Sequence, residues 1–248
     1  MLKIILCGIN GKIGSLIYQL ATENSHQIVC GIDKKIVGAF DCPVYNSFCE
    51  IKEHADVIVD FSSPTSLDDL LDFALTNQTP LVIGTTGYSL AQEEQIVNAS
   101  KHISVFKSAN MSLGINLLIK LCKTATSVLQ GFDVEIIDTH HKHKKDAPSG
   151  TTKMIFDAIN ESKYKALSPI YGRRGKGQRK QDEVGIHSLR GGTIVGEHSI
   201  FYFGENETIT LSHSANSKKL FAHGAIKASE FLVKQTVGLY DMNNLLNI

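Results

Sequence analysis

The sequence predicts an α/β protein in which helices cover both faces of a doubly wound parallel sheet, with a second, central α+β domain. Two observations predict this fold. Short apolar runs alternate with helical stripes through about the first 110 residues, and three β-rich stretches follow one another between residues 184 and 212. Alternating strands and helices are typical of parallel sheets, whereas successive strands joined by glycine turns favour an antiparallel or mixed sheet.

The opening residues predict a strand, a glycine turn and a helix. Residues 2–7 (LKIILC) form an apolar run, and residues 8–14 (GINGKIG) follow it directly. Apolar residues then recur at helical spacing from Ile13 to Ala21. The next apolar run, residues 27–32, ends at Asp33, so one βαβ unit is complete at that point.

The same alternation continues along the first half of the chain. Strands are predicted at residues 57–61, 81–83 and 103–106. Helices are predicted between them, one capped by Ser63 with Pro64 at its first position, and one capped by Ser89.

The pattern changes after residue 110. A long helix from Leu113 to Leu129, a strand over 134–138 and a helix near 152–160 precede the β-rich stretches, and a last helical stripe covers 220–233. We therefore predict one domain formed by 1–109 and 217–248, and a second formed by 110–216.

Composition excludes several classes of protein. The 25 Lys and Arg balance the 25 Asp and Glu, so the chain lacks the basic excess that phosphate-backbone binding favours, and we expect no nucleic-acid partner. The five cysteines show no C-x-x-C spacing, which argues against a disulfide framework or a zinc knuckle. No apolar run approaches the roughly 20 residues of a membrane span, and we expect a cytoplasmic protein with no membrane partner.

The glycine turn predicts a dinucleotide site. Backbone N–H groups at a helix N-terminus bind a pyrophosphate well where no Cβ intervenes, and Gly8, Gly11 and Gly14 supply that opening. The spacing is G-x-x-G-x-x-G, with Asn10 where the common Rossmann fingerprint has glycine. The alternative is a tight turn that needs small residues only for packing.

Asp33 lies where an acidic residue accepts a ribose 2′-hydroxyl, at the end of the second strand. Lys34 and Lys35 follow it, and either ammonium could pair with a 2′-phosphate. We therefore expect NADH or NADPH as the cofactor, with the preference open.

A second cluster follows the strand through residue 138. Three histidines and three lysines occupy residues 140–145, which indicates an anionic ligand. The H-H-x-H spacing fits no usual zinc motif, so no metal is predicted. Ser149 and Gly150 then open a helix whose N-terminus, with Lys144, could hold a dicarboxylate. An ordinary capped helix is the alternative.

The motifs taken together resemble the dihydrodipicolinate reductase family over essentially the whole chain. The segments that carry the resemblance are GINGKIG (8–14), VDFS (59–62), GTTG (84–87), SANMS (108–112), HHKHKKDAPSGT (140–151) and GLYDM (238–242). The resemblance implies an oxidoreductase of diaminopimelate and lysine biosynthesis that reduces 4-hydroxy-tetrahydrodipicolinate to tetrahydrodipicolinate with NADH or NADPH. It also implies a homotetramer built through the central domain's sheet, for which Ser199 to Phe203 is a candidate interface strand.

The resemblance implies roles for particular residues. His140 matches the catalytic acid/base, and Lys144 matches the second proton donor. The positions that match substrate contacts are His141, Gly150 and Thr151. Those predicted to contact the cofactor are Gly8, Ile9, Asn10, Gly11, Lys12, Ile13, Asp33, Lys34, Gly84, Thr85, Thr86, Ser108, Ala109, Asn110 and Met111. Met111 departs from the family by standing where a phenylalanine often lies near the nicotinamide.

Seven basic residues and no acidic ones occur between residues 163 and 180. A solvated loop is the first interpretation, and a mobile lid that attracts a dianionic substrate is the alternative. The loop at 173–179 is one residue shorter than the family's glycine-arginine loop, so it receives no role. An NAD-sensing protein without chemistry, an RNA-binding protein and an aspartate dehydrogenase-like enzyme are the competing functions.

Overall fold

The computed structural model describes residues 1–35 and 37–247. The chain forms two compact units, one from residues 1–113 with 219–248 and the other from residues 114–218. Within the described residues, every helix is too short or too polar to cross a membrane.

The described residues form twelve strands and seven α-helices. The strands are β1 (Lys3–Cys7), β2 (Gln27–Ile32), β3 (Val44–Tyr45), β4 (Val57–Asp60), β5 (Leu81–Ile83), β6 (Ser104–Lys107), β7 (Asp133–His140), β8 (Ser168–Tyr171), β9 (Glu183–Arg190), β10 (Gly196–Phe203), β11 (Thr208–Ala215) and β12 (Gly238–Tyr240). The helices are α1 (Gly14–Glu23), α2 (Leu67–Thr76), α3 (Leu90–Ala99), α4 (Leu113–Val128), α5 (Gly150–Glu161), α6 (Lys219–Leu232) and α7 (Met242–Leu246).

The first unit is built on a seven-stranded parallel sheet in the order β12-β6-β5-β4-β1-β2-β3. Successive residues of β1 point to opposite faces. Ile4 and Leu6 pack with α1 and α6, whereas Ile5 and Cys7 pack with α2 and α3. Both faces of the sheet are therefore covered, and the predicted doubly wound fold is confirmed.

The capping predictions had different outcomes. Ser89 caps α3, and its hydroxyl and the Gln92 side chain form a reciprocal capping box. Ser63 instead precedes a 3-10 turn, and α2 begins only at Leu67. The Ser63 hydroxyl lies 2.7 Å from the Thr65 hydroxyl, so it is used within the turn.

The second unit contains a five-stranded mixed sheet in the order β11-β10-β7-β9-β8. β10 runs antiparallel to β7 and β11, while β7, β9 and β8 are parallel. Val134, Ile136, Asp138 and His140 of β7 are buried on one face, where α4 and α5 contribute to the core. This strand therefore carries apolar core residues first and ionisable residues at its end.

Three strands, β3, β8 and β12, escaped the sequence analysis. β3 spans only Val44 and Tyr45 and pairs with β2. β8 lies at the edge of its sheet and contains Pro169, which is compatible with an edge strand because proline cannot donate to the ladder. β12 spans only Gly238 to Tyr240 and pairs with β6. It lacks the buried apolar run that marks the equally short β5.

Candidate active site

The glycine turn between β1 and α1 is shaped by its own packing. Gly8 has φ of +79°, and a Cβ there would overlap the backbone of Phe61. A Cβ on Gly14 would overlap the Gly8 carbonyl oxygen. The turn therefore requires glycine at these two positions with or without a bound ligand.

A cavity of about 710 Å³ opens beside this turn in the first unit. Of the predicted cofactor contacts, Gly8, Asn10, Gly11, Asp33 and Lys34 line it, together with Lys35. The other lining residues add the serine and threonine hydroxyls of residues 62–66 and the apolar side chains of Val37, Phe48 and Phe61. The volume lies in the usual range of small-molecule sites, and the donor set suits a nucleotide.

Asp33 is already attached to the turn. Its Oδ2 accepts a hydrogen bond from the Asn10 backbone N–H at 3.0 Å. The Lys34 ammonium donates to the Thr65 hydroxyl at 3.2 Å. A carboxylate can accept several hydrogen bonds, so Asp33 keeps capacity for a ribose hydroxyl while a cation stands nearby.

The remaining predicted cofactor contacts lie outside the lining of this cavity. They are Ile9, Lys12, Ile13, Gly84, Thr85, Thr86, Ser108, Ala109, Asn110 and Met111. Met111 is only 2% exposed and packs in the core, where a Cβ on Gly224 would overlap its carbonyl oxygen. The structure therefore places Met111 as a packing residue, and its predicted contact with the cofactor stays a prediction.

Asp60, which the sequence analysis did not select, stands at the end of β4 behind the GTTG segment. It is fully buried and accepts hydrogen bonds from the Ser62 N–H at 3.2 Å and the Tyr88 hydroxyl at 3.3 Å. Burial raises the pKa of this carboxyl, and hydrogen bonds from Ser62 and Tyr88 oppose the rise. Asp60 therefore organises the loops that follow β4 and β5.

In the second unit, His140 ends β7 on its buried face. Its Nδ1 lies 2.6 Å from Oδ1 of Asp138, two residues earlier on the same face. Burial lowers the pKa of His140, Asp138 opposes that shift, and Lys144 and Arg190 add to it. The imidazole packs over Gly196, where a Cβ would stand 2.9 Å from Nε2.

The loop after β7 contains a carboxylate that pairs with one of its own cations. Lys144 pairs with the Asp146 carboxylate at 2.9 Å, and Arg190 donates to the Asp146 carbonyl at 2.7 Å. The cationic cluster predicted to need an anionic ligand is thus partly balanced by Asp138 and Asp146. His141 is half-buried, and its Nδ1 is buried without a hydrogen-bond partner among the described residues.

Ser149 caps α5 as predicted, accepting the Thr152 N–H at 3.2 Å. Its own N–H donates to Oδ2 of Asp138 at 2.7 Å, which joins the start of α5 to β7. Gly150 is exposed and Thr151 half-buried in the first turn of α5. The N-terminus of α5 follows directly on the loop that holds Lys144.

Asp138, His140 and His198 together form the kind of cluster that can bind a metal ion. The 2.6 Å between Asp138 Oδ1 and His140 Nδ1 is too short for two ligands that each lie about 2.0–2.2 Å from one ion in tetrahedral geometry. The guanidinium of Arg190, 3.3 Å from Asp138, also opposes a second cation. The arrangement fits a carboxylate–imidazole pair better than a metal centre.

The basic run at 163–180 is only partly a solvated loop. The Lys163 ammonium donates to three carbonyls just beyond α4, those of residues 129, 130 and 132. Arg173 bridges Glu135 and Glu183, and Arg179 pairs with Asp133. These three cations stabilise the second unit, while Lys165, Arg174, Lys176 and Lys180 are exposed.

Two family models together match almost the whole chain. Residues 2–111 match the family model described as dihydrodipicolinate reductase, N-terminus, and residues 114–246 match its C-terminus. The chain belongs to the dihydrodipicolinate reductase family. This membership makes it a nicotinamide-dependent oxidoreductase and decides against the competing functions.

Individual relatives cover the full chain. A 4-hydroxy-tetrahydrodipicolinate reductase from Caldanaerobacter subterraneus subsp. tengcongensis is 49% identical over 99% of this chain and 98% of its own length. One from Clostridium tetani is 42% identical over 100% and 98%. A solved dipicolinate-bound dihydrodipicolinate reductase from Paenisporosarcina sp. TG-14 has a TM-score of 0.82 at 24% identity, covers 97% of each chain and supports the fold.

Proposed function

We propose that this chain is a 4-hydroxy-tetrahydrodipicolinate reductase acting in diaminopimelate and lysine biosynthesis, with His140 as the acid/base of the reaction. The observation that carries the assignment is the loop at 140–151, which places an imidazole, an ammonium and a helix N-terminus within one unit. Full-length relatives that carry this activity in their names support the substrate.

The cofactor is NADH or NADPH, held through its nucleotide end by the first unit. Asp33 would accept a ribose hydroxyl in NADH, and Lys34 or Lys35 would pair with the 2′-phosphate of NADPH. Because an anion and two cations lie together at this end of the cavity, neither cofactor is strongly rejected. We also assign the cofactor contacts that lie outside the cavity, from Gly84 to Thr86 and from Ser108 to Met111, to the rest of the dinucleotide.

The substrate is a cyclic dicarboxylate bound by the second unit. His141 offers a buried ring nitrogen without a hydrogen-bond partner among the described residues, and Gly150 and Thr151 offer the N-terminus of α5. Lys144 would exchange the half-exposed Asp146 for a substrate carboxylate, a change that costs little because Asp146 can return to water.

Loss of the 4-hydroxyl as water would leave a conjugated imine. The reduced nicotinamide supplies the hydride, which adds at C4, and the resulting enamine takes up one proton. His140 would deliver that proton, since an imidazole exchanges protons readily near neutral pH. Lys144 would stabilise the carboxylate beside the reacting atoms or assist proton delivery.

A pair of variants tests the role of His140. We expect His140→Gln to lower kcat by about 10²- to 10⁴-fold and to leave NADH affinity nearly unchanged. His143→Gln is the control, because His143 belongs to the same loop but is exposed. A coupled assay with freshly generated hydroxy-tetrahydrodipicolinate, following NADH and NADPH separately, gives the rates. Near-normal turnover in His140→Gln would refute the assignment.

We further propose a cytoplasmic homotetramer, with the first unit holding the cofactor and the second holding the substrate and the subunit contacts. The face of the second sheet opposite α4 and α5 carries Phe201 and Phe203, whose rings are stacked at 5.9 Å. Phe203 and Leu189 are exposed large apolar side chains, which is typical of a subunit interface. Sedimentation that shows a stable monomer would reject the assembly.

A further inference from the structure

Asp138 is a fully buried carboxylate whose two oxygens have different surroundings. Oδ2 accepts the Ser149 N–H at 2.7 Å and lies 3.3 Å from an Arg190 Nη2 and 3.4 Å from the Ser188 hydroxyl. Oδ1 faces His140 Nδ1 at 2.6 Å and, farther away, His198 Nε2 at 3.9 Å. Three donors, one from the N-cap of α5 and two from β9, thus hold one oxygen, and the other oxygen lies close to the imidazole.

The ionised form of Asp138 is the one that this environment favours. Burial alone would raise the pKa of the carboxyl, but the Ser149 N–H, His140 and Arg190 outweigh burial and hold the pKa below its usual range. A buried carboxylate is costly unless it is hydrogen-bonded and paired, and here it is both. Its position is also rigid, because strand β7 and the donors on Oδ2 limit its rotation.

An anion at Nδ1 determines which imidazole nitrogen exchanges protons. Neutral imidazole has one N–H and one acceptor nitrogen, and a carboxylate beside Nδ1 favours the tautomer with its proton there. Nε2 is then the nitrogen that accepts and releases the second proton. His140 keeps this orientation because Gly196 leaves space for the ring.

His198 lies farther from the Asp138 carboxylate than His140 does. Burial lowers the pKa of His198 to about 4, so this ring is neutral near neutral pH. It lies 3.2 Å from the Ser149 hydroxyl and 5.3 Å, between ring centroids, from His140. The charged or titratable groups around His140 are therefore Asp138 on its own strand, Lys144 with Asp146 on the loop, Arg190 on β9 and His198 on β10.

We infer that Asp138 is a positioning residue for the reduction, which holds Nδ1 of His140 toward its carboxylate so that Nε2 is left to exchange the proton with the substrate. This inference rests on the proposed role of His140. It adds a second group to the proton-transfer apparatus, one that touches neither substrate nor cofactor.

The test begins with the unaltered protein. Nitrogen-15 NMR of the histidine side chains, assigned by loss of one signal set in His140→Gln, reports the tautomer of His140. We expect Nδ1–H with Nε2 as the titrating nitrogen. A neutral ring protonated on Nε2 in the unaltered enzyme would overturn the inference without any change at Asp138.

Asp138→Asn is the second arm. We expect kcat to fall about 10²- to 10³-fold with the KM values for cofactor and substrate within about threefold, since the amide no longer favours the required tautomer. The alkaline limb of the kcat–pH profile should also move to lower pH, because loss of the anion lowers the proton affinity of His140 further. Glu135→Gln on the other face of β7 is the control, and it should alter stability but neither the profile nor the tautomer.

The outcomes separate the two claims. If His140→Gln is nearly as active as the unaltered enzyme, the proposed function of His140 fails. If His140→Gln is inactive but Asp138→Asn keeps its rate, its pH profile and the Nδ1–H tautomer, only the inference about Asp138 fails. If Asp138→Asn does not fold, the NMR measurement on the unaltered protein decides.

Discussion

The space beside His140 makes Gly196→Ala an informative substitution. A Cβ at residue 196 would lie 2.9 Å from Nε2 and 3.3 Å from Cδ2 of the imidazole. Since nonbonded heavy atoms prefer separations of about 3.5 Å, the ring must move by about 0.6 Å or the strand must yield. Such crowding also costs about 1–3 kcal/mol of unfolding free energy.

We expect Gly196→Ala to lower kcat by more than its loss of folding stability would explain. A misplacement of about 1 Å can cost about 100-fold in rate, so a shift of about half that size should lower kcat by about 10-fold. The coupled assay gives kcat and KM, and urea unfolding gives the stability. We expect KM for the cofactor to be unchanged, because the cofactor cavity belongs to the other unit.

Gly191→Ala is the matched control. Gly191 follows β9 and its N–H donates to the His140 carbonyl, yet a Cβ there would meet no described atom within 4 Å. The kcat of Gly191→Ala should stay near that of the unaltered enzyme. If Gly196→Ala and Gly191→Ala have the same kcat within twofold, the packing of Gly196 does not position the imidazole and the reasoning is wrong.

Two further predictions concern stability. His198 has a pKa of about 4 in the folded protein against 6.5 in an unfolded chain, so the unfolded state takes up its proton first as the pH falls. The free energy of unfolding should therefore fall by about 3 kcal/mol on this account as the pH is lowered from 6.5 to 4, and this loss should be absent above pH 6.5. The urea midpoint of the wild type should fall more steeply over this pH range than that of His198→Asn. Tyr202 is fully buried, and its hydroxyl donates to the Cys122 carbonyl at 3.1 Å and lies 3.0 Å from the Thr126 hydroxyl. Tyr202→Phe should cost about 1–2 kcal/mol in urea unfolding, and adding Thr126→Val should recover part of it.

Each stability prediction has a clear contrary result. Parallel pH dependences of the wild type and His198→Asn would show that His198 is protonated equally readily in both states. A Tyr202→Phe protein as stable as the wild type would show that the Tyr202 hydroxyl contributes nothing to stability. A double variant whose loss of stability equals the sum of the two single losses would show that the two hydroxyls do not depend on each other.

Sequence periodicity was sufficient for the elements with repeated apolar positions. The runs at 2–7 and 27–32 and the stripe after Ile13 each occur as predicted, because a buried strand or an amphipathic helix repeats its signal several times. The start of α2 was predicted wrongly, since Ser63 and Pro64 form a 3-10 turn whose hydroxyl contacts are local and leave no periodic mark. β3, β8 and β12 were missed for a related reason, because these short edge strands contain no buried apolar run.

The residues around His140 also divide into those that the sequence could identify and those that it could not. Asp138 could have been found from the sequence, because alternation along a strand places it on the same face as His140. Arg190, Gly196 and His198 could not, because they reach His140 through the register of β9 and β10, about 50 residues later in the chain. Strand register depends on the packing of the whole sheet, which no local motif contains.

The sequence alone determined the α/β class, the family and the imidazole and ammonium groups of the loop at 140–145, since these follow from local patterns and motifs. The tertiary structure alone decided that Asp138 lies beside Nδ1 of His140, that Asp146 pairs with Lys144, and that Met111 is a core residue. The physical reason is that a group's charge state and exposure depend on what is folded against it, and those neighbours come from distant parts of the chain.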